Sequence, residues 1–490
     1  MAMKKWVLGL GVAVLALGGT VTARTMMFAP GEVADGSAIK VAPAAPFSID
    51  AAARNLSQAV QFKTVSNQDA AQNQTAEWDK LQGWMATTYP KAHAAMQKEL
   101  LGQTLVYTWA GSDPAAQPII LMAHQDVVPV TAGTEKDWKY QPFAGTIAEG
   151  AVWGRGTIDD KGSLIAMFEA LEALSAQGFK PKRTIYIVSG HDEEVGGTGA
   201  AAAAKLLADR KVKALFTLDE GGVITTDTPV LGKPAMMIGV AEKGYVTLRV
   251  TAPAPGGHSS MPPAEIGTVN LSKAVVAIHA DQHPMELRGP VGAMIDVLAA
   301  QAGGMTKVAA ANKWLLGGQI VSTMAKSPTS AAMLHTTTAP TMLEGSPKEN
   351  VLPQSANALI NYRIAPWDSS AEILKRAKAA VSGLPVEVAI TERGAREPTP
   401  VSSSTSLGWQ LIVASARAGH QGLIAAPYLV VGGTDSRNMT PVSDDVYRFM
   451  PISLSTAETK MIHGTNEHIT LGNLEAMIAF YTRLIATAAG

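Results

Sequence analysis

"RTIYIVSGHDEEVGGTGAAAAAKLLADRKVKALFTLDE" runs from Arg183 to Glu220 and decides the fold. It begins with an apolar, β-branched run, turns through an acidic loop bounded by glycines, and continues as an alanine-rich helix former. It ends in a second apolar run that closes on Asp219 and Glu220. A helix between two buried strands is the crossover that parallel pairing requires. The acidic loop poses the second question. Asp192, Glu193 and Glu194 stand side by side at a strand end, where like charges repel. Either all three point into water or a strong positive charge sits among them.

The same pattern extends in both directions. "PIILMAH" is a further buried strand ending at His124, and "GSLIAMFEALEALSAQG" is a helix with Leu164, Phe168 and Leu171 on one face, stopping at Gly178. Alternating strands and helices predict an α/β fold, a mostly parallel sheet flanked by helices. Near Gly244 the period changes. "GYVTLRVTAPA" alternates like a half-exposed strand, and helices and strands then mix ("ANALINYRIAP", "PVEVAI"). This predicts an inserted α+β domain at residues 243–392, dividing a catalytic domain into residues 47–242 and 393–490.

Before residue 47 the chain is of another kind. Lys4 and Lys5 precede an apolar run from Trp6 to Leu17, and small residues follow up to Ala23. Residues 1–24 read as a secretory signal peptide, with an uncleaved membrane anchor as the competing reading. Either implies export, to a periplasmic or secreted location. Residues 25–46, rich in Ala, Pro and Gly, read as a linker.

Composition excludes several functions. The 40 basic and 41 acidic residues leave no basic surplus for nucleic acid. Cysteine is absent, which removes disulfides, thiolate metal sites and a cysteine nucleophile. There is no Walker A motif, no G-x-S-x-G elbow and no H-E-x-x-H. Gly197-Thr-Gly199-Ala-Ala-Ala202 has the form of a dinucleotide fingerprint, with Asp219 about 20 residues on. The carboxylates immediately before it would repel a pyrophosphate.

Ligands of open α/β sheets gather at the carboxyl ends of the strands. Those ends offer His124 and Asp126, then Asp159 and Asp160 of "WGRGTIDDKGS", then Asp192 to Glu194, then Asp219 and Glu220, with His463 near the C-terminus. Imidazole and carboxylate suit zinc. If His124, Asp159, Glu194, Asp219 and His463 are ligands and Glu193 is an unligated base, the net charge of −4 is balanced by two zinc ions. Asp126, two residues after His124, would accept the other ring N–H. Glu193 would take a proton from water and hand it to a leaving amine. Each residue alone is an ordinary loop acid or packed histidine; the argument lies in their succession at strand ends.

"LMAHQDVVPV", "WGRGTIDDKGS", "GHDEEVGG", "LDEGG", "GGHSSMPP" and "IHGTNEHI" resemble the co-catalytic zinc metallopeptidase family of aminoacylases, carboxypeptidase S, glutamate carboxypeptidase and succinyl-diaminopimelate desuccinylase. The likeness runs from about residue 50 to the end. "GGTDSRNM" and "VYRFMPI" bring it nearest the carboxypeptidase S and N-fatty-acyl amino acid hydrolase subgroup. The resemblance implies one zinc on His124, Asp159 and Asp219, and another on Asp159, Glu194 and His463, with Asp159 bridging and a cis Asp159–Asp160 bond. Cobalt or manganese would suit the same ligands. It implies Glu193 as acid/base and Asp126 behind His124. The insert becomes a lid and dimerisation domain. His258 would reach over the site, often from a partner subunit, Asn350 and Arg363 would meet substrate, and Arg437 with Gly432–Gly433 would grip its carboxylate. The expected activity is cleavage of an amide bond beside a free carboxylate, in an N-acyl amino acid or a short peptide; the reverse condensation is the same chemistry. A non-catalytic peptide-binding protein of the same fold is the rival from another class.

Overall fold

The structure is a computed structural model and describes residues 2–228 and 230–490, with the side chains of residues 2–5 and 7–11 left aside. Lys4, Lys5 and residues 7–11 of the leader's apolar run therefore lie outside the described side chains. Residues Ala2–Met26 form one helix. Among the described residues, no helix is long and apolar enough to cross a membrane.

A ten-stranded sheet organises the catalytic domain. At its centre Ile119–Met122 lies between Ile185–Ser189 and Phe216–Asp219, parallel to both, and Phe216–Asp219 pairs in parallel with Val446–Arg448. These runs are apolar on both faces because helices cover both. The main core lies between the sheet and the helices Ile49–Gln61, Lys161–Ala176, Leu407–Arg417 and Leu471–Ala489. The helix Thr198–Asp209 covers the other face.

Lys161–Ala176 departs from the one-sided helix the sequence suggests. Every residue from Lys161 to Ala170 is buried, because the sheet packs on one side and Leu471–Ala489 on the other. Its end is as expected. Gly178, at φ +72°, donates to Ser175 O, and Phe179 N donates to Leu174 O, a Schellman stop that needs a left-handed residue.

The inserted domain is a four-stranded antiparallel sheet in which Gly244–Pro253 lies between Ser355–Ile364 and Glu387–Arg396, with Thr337–Glu344 at the far edge. Gly244–Pro253 alternates buried and open positions, since only one face is covered, by the helices Gly267–Ala280 and Ser370–Ala380. The helices between 289 and 334 do not join this core. They pack with Ala235, Met237, Ala426 and Leu429 at the edge of the catalytic sheet.

The expected linker is not loose. Residues 27–48 have no regular structure, yet Ala34 O accepts from Trp409 Nε1 at 2.8 Å, Ala42 N donates to Thr487 Oγ1 at 3.0 Å, and Ala45 is buried. The segment is a strap across the catalytic domain, held by contacts hundreds of residues away in sequence.

Candidate metal centre and active site

The loops after the parallel strands bring the acidic and imidazole groups together. Asp159 lies between two histidines. Its Oδ1 is 2.9 Å from His124 Nε2 and its Oδ2 is 3.0 Å from His463 Nε2. The other close contact of His463 Nε2 is Glu194 Oε2, at 3.0 Å. One carboxylate offering a separate oxygen to each side is the arrangement a bridging ligand needs. The Asp159–Asp160 bond is cis, as the resemblance implies.

Three overlapping sets of ligand atoms form, each within 4.8 Å: His124 with Glu193 and Glu194, His124 with Asp159 and Glu220, and Asp159 with Glu194 and His463. Asp219 belongs to none of them. Its carboxylate is buried, Oδ2 accepting from Ser436 N at 2.8 Å. Against expectation, Glu220 rather than Asp219 stands beside His124 and Asp159. The strand ends at Asp219, so its side chain still follows the pleat into the protein, while Glu220 lies past the last ladder position.

The acidic loop divides its labour. Asp192 serves the helix Thr198–Asp209: its carboxylate accepts from Thr198 N and Gly199 N, both at 2.9 Å, and from Thr198 Oγ1. That occupies the helix N-terminus where the dinucleotide reading would put a pyrophosphate, so the glycine run carries no such site. Glu193 and Glu194 are held by Asp126, which accepts from both of their backbone N–H groups at 3.2 Å. Asp126 is also 3.3 Å from His124 Nδ1 and accepts from Ser66 Oγ at 2.6 Å. One buried carboxylate thus orients the histidine ring and the glutamate loop together.

Opposite, Arg155 and Glu467 form a buried pair at 2.6 Å. Arg155 donates to the carbonyls of His463 and Gly464, and Glu467 accepts from Ile158 N and Asp159 N. The pair locks the Asp159 loop to the His463 loop, where His463 holds φ +60°. Lys161 Nζ caps the helix Ile49–Gln61 by donating to Ala59 O and Phe62 O.

The electrostatics call for a cation. Burial pushes the Glu193 carboxyl well above its ordinary value; His124 opposes this, and Asp435, Glu194 and Asp159 add to it. Burial also raises Glu220, with Asp159 and Asp160 adding to it. The hydrogen bonds His463 donates to Asp159 and Glu194 push its pKa up to about 10. Burial works to raise Asp159, but the hydrogen bonds from His124 and His463 hold it below the usual range. Glu194 Oε1 is buried and has no partner. A crowd of carboxylates with an unpaired oxygen aimed among imidazoles fits a metal ion, and the donor set is the one zinc prefers.

The lid residues are placed differently. His258 is exposed, its Nδ1 accepting from Ser260 N at 3.1 Å; it is not among the groups that gather at Asp159. Asn350 lies beside it, Ser259 N donating to Asn350 O at 3.2 Å. Arg363 is exposed, stacked over Tyr245 at 4.9 Å. Arg437 sits at the domain junction, donating to Glu397 O at 3.0 Å, with Gly433 against its guanidinium. Arg396, which sequence reasoning missed, ends the strand Glu387–Arg396 and donates to Gly196 O at 2.8 Å, tying lid to acidic loop. Tyr245 pairs in register with Arg363 on one neighbouring strand and with Arg396 on the other, and Arg437 Nη1 lies 4.0 Å from Glu242.

Residues 120–487 match the model of peptidase family M20/M25/M40. The chain belongs to this family. It is 36% identical over 445 residues to the human N-fatty-acyl-amino acid synthase/hydrolase PM20D1, covering 88% of this chain and 87% of the relative. It is 31% identical over 483 residues to carboxypeptidase S of Saccharomyces cerevisiae, covering 88% and 83%. Among solved structures it shares its fold with the M20 family metallo-carboxypeptidase Sso-CP2 from Sulfolobus solfataricus (TM-score 0.65, 16% identity, 89% of this chain and 99% of that one). Human carnosine dipeptidase 1 is similar as well, with TM-score 0.61, 15% identity, and 90% and 96% coverage. As a member of the M20 family the chain is a metal-dependent hydrolase of the peptidase type.

Proposed function

We propose that the chain is a two-metal hydrolase of N-acyl amino acids, cutting the amide bond next to the free carboxylate. The observation that carries this is Asp159 between His124 and His463, with Glu193 beside His124. His124, Asp159 and Glu220 would hold one ion, and Asp159, Glu194 and His463 the other. Zinc in these ligands supplies positive charge that polarises an amide carbonyl and makes water acidic. The chain's own residues do the rest. Arg437 and Arg363 orient the substrate carboxylate. Glu193 takes one proton from the attacking water and delivers it to the amide nitrogen as the C–N bond breaks, leaving an amino acid and a fatty or other acid. Asp126 keeps Glu193 and His124 in place throughout.

The choice of N-acyl amino acid over a short peptide follows the activity for which the PM20D1 relatives are named; cleavage of a C-terminal residue, as in carboxypeptidase S, is the second reading. Export by the N-terminal segment, and a homodimer through the lid that brings His258 to the site, belong to the same proposal. The test is Glu193→Gln, assayed on an apolar N-acyl amino acid and an apolar dipeptide. The expected result is a loss of kcat of about 10²–10⁴ with metal content unchanged. Hydrolysis near the wild-type rate would sink the mechanism, and the better substrate decides between the two readings.

A further inference from the structure

Two segments far apart in sequence share a feature that the catalytic reading does not use. The first 31 residues contain no acid, and neither does the stretch from Val297 to Leu343, in a chain with 41 acidic residues. The second stretch carries only Lys307, Lys313 and Lys326 as charged groups. The structure joins these segments. The helix Ala2–Met26 ends against the junction of the helices Gly304–Ala311 and Lys313–Met324. Asn312 Nδ2, at that junction, donates to Thr25 Oγ1 at 3.2 Å and to Val21 O at 3.4 Å, and Arg24 Nε reaches Ala311 O at 3.5 Å.

The combined face is apolar and open. Every residue from Val12 to Thr20 is exposed, and Val12, Val14, Leu15 and Leu17 lie on all sides of the helix. A helix that is apolar all round belongs in an apolar medium rather than in water. Within three residues of Asn312, Trp314 and Leu315 are exposed at 54% and 47%, and Met305 is exposed at 75%. Whatever medium receives the first helix must lie against these side chains. Lys313 is paired with Asp296 at 2.6 Å, which leaves Lys307 and Lys326 as the free charges of the stretch. An apolar face with an exposed tryptophan and a surplus of lysine matches an anionic lipid surface in both hydrophobicity and charge.

We propose that the N-terminal helix and the helices Gly304–Ala311 and Lys313–Met324 form one lipid-contacting face that seats the enzyme on an anionic phospholipid surface. The catalytic sheet carries this face directly, because the helices 289–334 pack on its edge. Amphiphilic substrate dissolved in the lipid would then be close to the crevice. The contact itself does not depend on the reaction, so it stands or falls apart from the proposed activity.

The experiment uses the full chain and vesicles of phosphatidylcholine with or without phosphatidylglycerol, some carrying brominated acyl chains. In a Trp6→Phe chain, brominated lipid is expected to quench tryptophan emission, and Trp6→Phe/Trp314→Phe to lose that quenching. Lys307→Gln is expected to weaken binding to phosphatidylglycerol vesicles about fivefold. An unquenched Trp6→Phe chain overturns the proposal, and equal binding by Lys307→Gln overturns its anionic part. A lipid-free dimer dissolved by Trp314→Glu would also overturn it, by showing that a second copy covers the face.

Discussion

The two walls of the crevice are finished to different degrees. On the catalytic side His124 is buried, oriented by Asp126, and within 2.9 Å of the carboxylate it serves. On the lid side His258 is exposed, and the contact of its ring is with Ser260 on the same loop. The groups that could hold metal come together within one chain, on loops tied by the buried Arg155–Glu467 pair. The lid half rests on an exposed two-stranded ribbon, Gly257–His258 with Val351–Leu352. The contrast is between acidic and imidazole groups held by buried hydrogen bonds on one side and an exposed histidine on a short ribbon on the other.

The sharpest way to break this contrast is at the rigid wall. Glu220→Ala is expected to lower bound metal from about two ions per chain to about one and to abolish most activity, since it deletes a ligand. Asp219→Asn is expected to keep both ions and lose about 10–100-fold, the cost of disturbing a residue behind the ligands. Metal analysis of the two variants checks this, and the opposite order would return Asp219 to the ligand set. Next in size is Arg155→Ala. It leaves Glu467 buried without its partner, at a cost of about 3–5 kcal/mol in stability measured by denaturant unfolding.

The exposed wall is expected to give a smaller effect with a distinct signature. His258→Ala should leave metal content and stability unchanged and reduce kcat. If the histidine acts from a partner subunit, mixing His258→Ala with Glu193→Gln should restore activity. Random pairing in a two-fold dimer makes about a quarter of the sites competent. Mixtures no more active than the separate variants would place His258 at its own chain's site or at none.

The same contrast explains what was legible in the sequence. His124, Glu193 and Glu194 follow apolar runs whose period marks strand ends, so local pattern leads to them, while Asp159 and His463 lie in loops and are found through the motifs around them. Glu220 is next to Asp219 in the same motif, and choosing between them requires knowing where the pleat stops, which no local period records. Arg155 and Glu467 are 312 positions apart and meet only when the fold closes. The strap at 27–48 misleads for the same reason: its Ala, Pro and Gly content looks loose, and the contacts that pin it come from Trp409 and Thr487. The helices 289–334 fall inside the lid's span of sequence but pack on the catalytic sheet, because their apolar side chains complete its edge.

The smallest predicted effect tests the charge balance directly. In the metal-free chain His463 is pushed up to about 10 by Asp159 and Glu194, so its ring keeps a proton at neutral pH. A ligand histidine must be neutral, so binding metal must release that proton. Calorimetric titration with zinc at pH 7, in two buffers of different ionisation enthalpy, should show net release of about one proton or more. Raised carboxyls such as Glu220 can add to the count. Stability follows the same sign. A pKa raised on folding means that the native state binds the extra proton, so in metal-free protein this contribution is full below the unfolded histidine value of about 6.5. It is lost as pH rises towards about 10. Metal-free protein should therefore lose thermal stability between those values, while metal-loaded protein, whose His463 is already neutral, should not follow it. Zinc binding without proton release would mean that His463 is uncharged before the metal arrives, and that the carboxylates around Asp159 are balanced in some other way.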